Sequence, residues 1–267
     1  MPDTQEISES VDFDIQEYRQ GRLSRLRTPA IREIPLTIFL NGREVVTLLC
    51  AGRHPRHLAL GFLKSDALVR DPEEVRDVAV EVGEQRITAR VELAGDPWTG
   101  RILQRSITSG CGKGTNFDRN LSAVSRRRIQ DGLAVDPADI LRLAAELRAR
   151  STLHAATRGC HNSSLCTCEA MLLFREDIGR HNAIDMIVGH CFEHHTPAGD
   201  KMVVTTGRVA SEILLKVARI GAPVLAATGR ATSMAADLAR RIGVTLVGNV
   251  SEDSLWVYHD PGRIQPK

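Results

Sequence analysis

Apolar and polar positions change their rhythm twice along this chain. Residues 34–50, EIPLTIFLNGREVVTLLC with its preceding glutamate, alternate around Asn41-Gly42, which predicts a β-hairpin with a tight two-residue turn. HPRHLALGFLKSDALV (54–69) switches to helical spacing and offers Leu58, Leu60, Phe62 and Leu63 to a core. VRDVAVEVGEQRITARVEL (75–93) returns to alternation, with Gly83 at the turn. PADILRLAAELRAR (137–150) is a helix that opens on Pro137 and presents Ile140, Leu141, Leu143, Ala144 and Leu147 on one side. Beyond it come strand EAMLLFRED, helix 181–192, strand DKMVVTTGR, helix ASEILLKVARIG, strand APVLAATGR, helix ATSMAADLARRIG and strand VTLVGNV. The last two helices stop at Gly221 and Gly243, as left-handed helix ends require.

Repeated strand–helix alternation predicts an α/β fold: a mostly parallel sheet with helices on both faces, in residues 131–267. Residues 33–130 read as a smaller N-terminal α+β domain. Residues 1–32 carry many charges and few large apolar side chains, and are expected to be weakly ordered.

Bulk properties narrow the function. The chain has 267 residues and a net charge of +2, so charge alone gives no field for nucleic acid. MPDTQEISES lacks the apolar core of a leader, and no apolar run reaches membrane-spanning length, so the expected location is the cytoplasm.

Polar residues concentrate at three strand ends: REDIGRHN (175–182), TTGRVASE (205–212) and ATGRATS (227–233). Ligands bind at the carboxyl ends of strands in open α/β sheets. Gly-Arg pairs there suit phosphate, since glycine allows close approach and arginine is a forked cation. Arg180, Arg208 and Arg230 read either as that site or as surface residues beside helix starts. No GxGxxG or P-loop motif is present, so neither a Rossmann nor a Walker nucleotide site is supported.

The six cysteines raise a second question. His154, Cys160, His161, Cys166 and Cys168 crowd together, but without a C-x-x-C pair or the H-x-E of the zinc deaminases. Structural cysteines are the favoured reading there, zinc the lesser one, and no dedicated metal is expected. Cys50 and Cys191 read as small core hydrophobes. Cys111 stands apart, in SITSGCGKGTNF. Lys113, Arg105 and free backbone N–H groups would lower its pKa, and the flanking glycines would let its sulfur swing between two places. A sulfur carrier needs both; an incidental exposed thiol is the alternative.

Together these segments resemble the formate dehydrogenase accessory sulfurtransferases, FdhD. The resemblance runs from about residue 33 to residue 264. It rests on E-I-P-L-T (34 onward for the apolar part), Ala59–Leu63, Gly110-Cys111-Gly112, His154-Ala155-Ala156, the run from Glu176 to Asp185, Gly207-Arg208 with Glu212, Thr245–Gly248 and Val257–Ile264. Position 114, where many members have a second cysteine, is Gly114. The resemblance implies a cytidine-deaminase-like domain with a smaller N-terminal one, usually as a homodimer. It implies a sulfurtransferase that takes persulfide sulfur from a cysteine desulfurase onto Cys111. The sulfur then passes to the molybdenum or tungsten bis(pterin guanine dinucleotide) cofactor of formate dehydrogenase or a related molybdoenzyme.

It further implies that Glu176, Asp177, Arg180, His181, Thr206, Gly207 and Arg208 line the cofactor side. The guanine-dinucleotide contact would fall on Asn249, Val250, Ser251, Glu252, Asp253 and Ser254. Two other readings remain: a non-catalytic chaperone that binds and delivers the cofactor, and a metal-binding paralogue using His154, Cys160, Cys166 and Cys168.

Overall fold

A computed structural model describes residues 8–98, 129 and 133–267. Two sheets and the helices between them make the body of the molecule. Strands β3 (Ile34–Leu40) and β4 (Arg43–Cys50) pair antiparallel across Asn41 and Gly42. Both turn residues have positive φ (45° and 73°), the mirror-image turn that matches strand twist. Burial alternates strictly along β3, so Ile34, Leu36, Ile38 and Leu40 all face the core. After helix α1 (Pro55–Ser65), strands β5 (Val75–Val82) and β6 (Ile87–Leu93) form the second hairpin. β6 lies parallel to β3, giving the order β4-β3-β6-β5.

The larger sheet has the order β12-β11-β10-β9-β7-β8. Its strands are β7 (His161–Cys166), β8 (Met171–Asp177), β9 (Met202–Thr205), β10 (Val224–Ala227), β11 (Thr245–Gly248) and β12 (Trp256–His259). Only β9-β10 and β10-β11 are parallel; β9-β7, β7-β8 and β11-β12 are antiparallel. The sheet is therefore mixed, which corrects the expectation of a mostly parallel one. The reason is local. β7 reads as a ligand-like cysteine run rather than a strand, yet it forms a hairpin with β8, and a hairpin must be antiparallel.

Helices cover both faces. α2 (Pro137–Arg150) lies on one, where Ile140, Leu143, Ala144 and Leu147 meet Met202, Val204, Val224 and Val247. Asp136 caps it, accepting from the Ala138 N–H at 2.9 Å. The short α3 (Thr152–Thr157) follows. On the other face α4 (Arg180–Glu193), α5 (Ser211–Arg219) and α6 (Ser233–Ile242) pack on Leu165, Val203, Leu225 and Leu246. Thr232 caps α6, and Gly243 ends it in the left-handed region at φ 74°.

α4 is buried at every position from His181 to Gly189, because both sheets use it. Ile184, Ile187 and Val188 face the six-stranded sheet, while Met186 and Phe192 enter the core of the four-stranded one. A helix apolar around most of its circumference belongs between layers.

Residues Ser10–Arg19 (β1) and Arg22–Ile31 (β2) add a third, two-stranded sheet. They pair along their whole length as a hairpin around Gln20 and Gly21. Ladder hydrogen bonds hold it rather than a buried core, since nearly all of β1 is exposed; composition does not register such a segment.

Candidate functional site at the strand ends

The carboxyl ends of β9, β10 and β11 stack closely because glycine backbones replace side chains. A Cβ on Gly229 would fall against the Gly207 carbonyl and 2.7 Å from Arg208 N. Backbone bonds continue past the strands. Thr206 N–H donates to Asn162 O (2.8 Å), Thr228 N–H to Thr205 O (3.1 Å), and Asn249 N–H to Gly229 O (2.8 Å). Val209 N–H donates to Arg230 O (3.0 Å) and Thr232 N–H to Val209 O (2.9 Å). The two TGR turns are thus fastened to each other, and the site floor is built of backbone.

Side chains converge on that floor from β7, α4 and α5. His161 Nδ1 lies 3.3 Å from Thr206 Oγ1, and the same hydroxyl accepts from Asn162 N–H at 2.9 Å. A Cβ on Gly207 would meet the His161 ring at 3.0 Å and Arg180 Cδ at 3.7 Å. Nε and Nη2 of Arg180 are buried without a hydrogen-bond partner, as are His181 Nε2 and Glu212 Oε2. His181 and Glu212 approach to 3.9 Å. Two guanidinium nitrogens buried without partners are costly unless an anion completes them. These orphaned donors fit a phosphate or another oxyanion.

Electrostatics sort the titrating groups. Burial pushes His181 down to about 3, and the charges of Lys216, Arg180 and Arg208 reinforce it. His161 is lowered by burial and by Arg180. Burial raises Glu212. At neutral pH both imidazoles are uncharged, and the positive field comes from the arginines.

The expected site residues divide into groups. Arg180, His181, Thr206, Gly207 and Arg208 come together. Asp177 is fully buried and committed elsewhere: Oδ1 accepts from Ala51 N–H at 2.7 Å, and Oδ2 from Gly179 N–H at 2.9 Å and Asn182 Nδ2 at 2.7 Å. Burial raises its pKa to about 6 against those three donors. It pins the end of β4 to the start of α4. Glu176, next along β8, pairs with Arg53 Nη1 at 2.8 Å and accepts from Ser151 Oγ at 3.2 Å. Burial raises its pKa, with Arg53 opposing.

The 249–254 turn is also divided. Asn249 (φ 53°) accepts from Arg230 Nε at 3.4 Å, and Arg230 lies 4.7 Å from the Trp256 ring centre. Val250 is buried in the core beneath. Ser251 N–H and Ser254 O close a turn at 2.8 Å, with Ser251 Oγ bonded to Ser254 and Asp253. Glu252, Asp253 and Ser254 are exposed.

His161 and Asn162 join this site from β7, and Glu212 from α5, beyond the residues that the resemblance implies for the cofactor side. In sequence His161 falls among the cysteines, whereas β7 carries it to the strand ends. The 154–168 set is not gathered. His154 Nδ1 contacts Cys160 O (2.9 Å), Cys166 Sγ contacts Ser164 Oγ (3.3 Å), and Cys168 Sγ contacts Ala134 O (3.4 Å). Burial pushes the Cys160 and Cys166 thiols up to about 11, far from thiolate chemistry at neutral pH. Cys50 and Cys191 are buried, as expected of core cysteines. Cys111 lies outside the described residues. Among the described residues, no helix is long and apolar enough to cross a membrane.

A mixed α/β fold with a backbone-floored, arginine-rich site at the strand ends defines the class. Residues 31–265 match the FdhD/NarQ family model, and the chain belongs to that family. It is 38% identical over 252 residues to a sulfur carrier protein FdhD of Geobacillus kaustophilus, covering 94% of this chain and 95% of the relative. It is 34% identical over 254 residues to the sulfur carrier protein FdhD of Bacillus subtilis, covering 94% and 96%. The fold matches a crystal structure described as a formate dehydrogenase accessory protein from Desulfotalea psychrophila. That match has a TM-score of 0.78 at 23% identity over 97% of this chain and 100% of the other.

Proposed function

We propose that this protein is a sulfur carrier for formate dehydrogenase maturation. Cys111 takes the terminal sulfur of a cysteine desulfurase persulfide: its thiolate attacks that sulfur, the new S–S bond forms on Cys111, and the desulfurase thiolate leaves. The sulfur is handed to the molybdenum or tungsten bis(pterin guanine dinucleotide) cofactor, which is cargo here rather than a resident group. The observation that carries this reading is the family match over residues 31–265, which includes Cys111.

The strand-end site supports the cargo. Arg180, with two buried nitrogens unpaired, offers a phosphate the charge-assisted bonds it lacks within the protein. Arg208 and the helix starts after Gly207 and Gly229 add positive potential. Arg230 and Trp256 make a cation–aromatic shelf at the 249–254 end, suited to a guanine face. Asp177 and Val250 act from below: the carboxylate fixes the α4 start and the valine anchors the turn, so both hold the site without touching cargo.

The test uses cells that lack this protein but produce a formate dehydrogenase client. Wild type restores client activity and Cys111→Ala does not. Restoration by Cys111→Ala would instead assign the protein to cofactor delivery without sulfur transfer.

A further inference from the structure

Far from the strand ends, α1 and α4 bring histidines together. His190 and His194 stand one turn apart at the C-terminal end of α4, and His57 faces them from the first turn of α1. One ligand nitrogen from each lies within 4.8 Å of the others. Ring centres are 4.5 Å apart for His190–His194, 5.1 Å for His57–His190 and 5.7 Å for His57–His194. We propose that His57, His190 and His194 bind one divalent transition-metal ion of the imidazole-seeking kind, zinc first among them.

Three observations carry this. His190 Nδ1 is buried with no hydrogen-bond partner, so the imidazole has a lone pair or N–H left over. Glu193 Oε2 lies 3.2 Å from His57 Nε2, the outer carboxylate that commonly orients a ligating imidazole and fixes its tautomer. The site sits at the negative end of the α4 dipole, which favours a cation.

Tetrahedral coordination at 2.0–2.1 Å brings ligand nitrogens to roughly 3.4 Å of one another. From separations of up to 4.8 Å, each pair must close by at most about 1.4 Å. His194 is exposed, which gives the ion an entrance and a solvent-side fourth position. The opposing charge is Arg175, whose Nη2 lies 3.4 Å from His57 Nδ1. Its guanidinium also donates to Phe174 O at 2.8 Å, a bond it keeps if it withdraws from the ring. Bound there, the ion would staple α1 to α4, joining the helix layer of one sheet to that of the other.

The experiment titrates Zn(II) alone into untagged, chelator-treated full-length protein against a chromophoric chelator, with thermal unfolding alongside. One equivalent binds to wild type and raises its melting temperature. Loss of even an outer-shell partner costs about 10–100-fold in affinity, so His194→Ala and His190→Ala should each weaken binding by at least about tenfold. His194 is exposed, so that variant folds whatever happens at His190. His195→Ala, one residue further on, binds as wild type does. Absence of stoichiometric binding, or binding that survives both substitutions and disappears in Cys111→Ser, would overturn the proposal.

Discussion

Gly61 and Gly189 meet backbone to backbone where α1 crosses α4. A Cβ on Gly61 would lie 2.8 Å from Gly189 N, and a Cβ on Gly189 would lie 2.8 Å from Gly61 N, with the carbonyls of Asp185 and His57 closer still. Both obstacles are helix backbone, which cannot turn aside as a flexible side chain can. The crossing fixes the distance between the two sheets, because α4 serves both cores. Gly189→Ala should therefore destabilise the protein by at least about 3 kcal/mol, at the upper end of overpacking costs. Urea unfolding measures it, and a loss below about 1 kcal/mol would show that the helices can separate cheaply.

Lys216 tests the same layer from α5. Its ammonium lies 2.6 Å from each oxygen of Asp185, and Asp185 Oδ1 also accepts from Ser65 Oγ at 2.6 Å. All three residues are buried. Lys216→Met leaves a buried carboxylate without its cation, which costs about 3–5 kcal/mol. Chemical denaturation should show that loss at neutral pH. Since the penalty is that of an ionised carboxylate, adding Asp185→Asn to Lys216→Met should recover part of it.

Stability should fall as the solution is acidified, and His181 contributes with a known sign. Its folded pKa, about 3, lies below the ordinary value of 6.5. The unfolded chain therefore binds the proton first. The contribution is complete above pH 6.5 and is lost as pH falls toward 3, with a slope of up to about 1.4 kcal/mol per pH unit. Asp177, raised to about 6, acts in the opposite direction between pH 3.8 and 6. Melting temperatures across pH 4–7 should fall less steeply in His181→Gln than in wild type. Parallel curves would contradict the assignment.

The role proposed for Arg180 can be tested apart from folding. Its Nε and Nη2 have no protein partner, so Arg180→Gln removes a desolvated cation without breaking a bond at those atoms. Thermal stability should hold or rise. A lost hydrogen bond to a charged group is worth about 1.5–3 kcal/mol, so binding of a guanosine dinucleotide probe should weaken roughly 10- to 100-fold. Calorimetry with GDP as that probe measures it. Unchanged affinity would place the diphosphate elsewhere.

Local rules were enough for much of this fold. Asn41-Gly42 set a hairpin because both residues accept positive φ, and Gly243 ended α6 for the same reason. Strand direction in the larger sheet was less legible. β7 reads HNSSLC, with serines where a buried strand usually has aliphatics, and its buried hydroxyls find partners far along the chain. Ser163 Oγ pairs with Thr205 Oγ1 at 2.7 Å and Ser164 Oγ donates to Val204 O at 3.2 Å. The same distance in sequence hides the site's division. Glu176 and Asp177 adjoin Arg180, but Arg53 and Ala51 claim their carboxylates. The histidine cluster joins positions on two helices whose adjacency follows from the Gly61–Gly189 crossing, which no spacing motif encodes.

The central claim is that sulfur travels on the thiol of Cys111. Intact-mass spectrometry after incubation with a cysteine desulfurase and cysteine tests it most directly, with wild type beside Cys111→Ser. The account predicts that wild type gains the mass of one sulfur, reversed by reductant, and that the variant gains none. Equal gain in both proteins, or gain in neither, would contradict it.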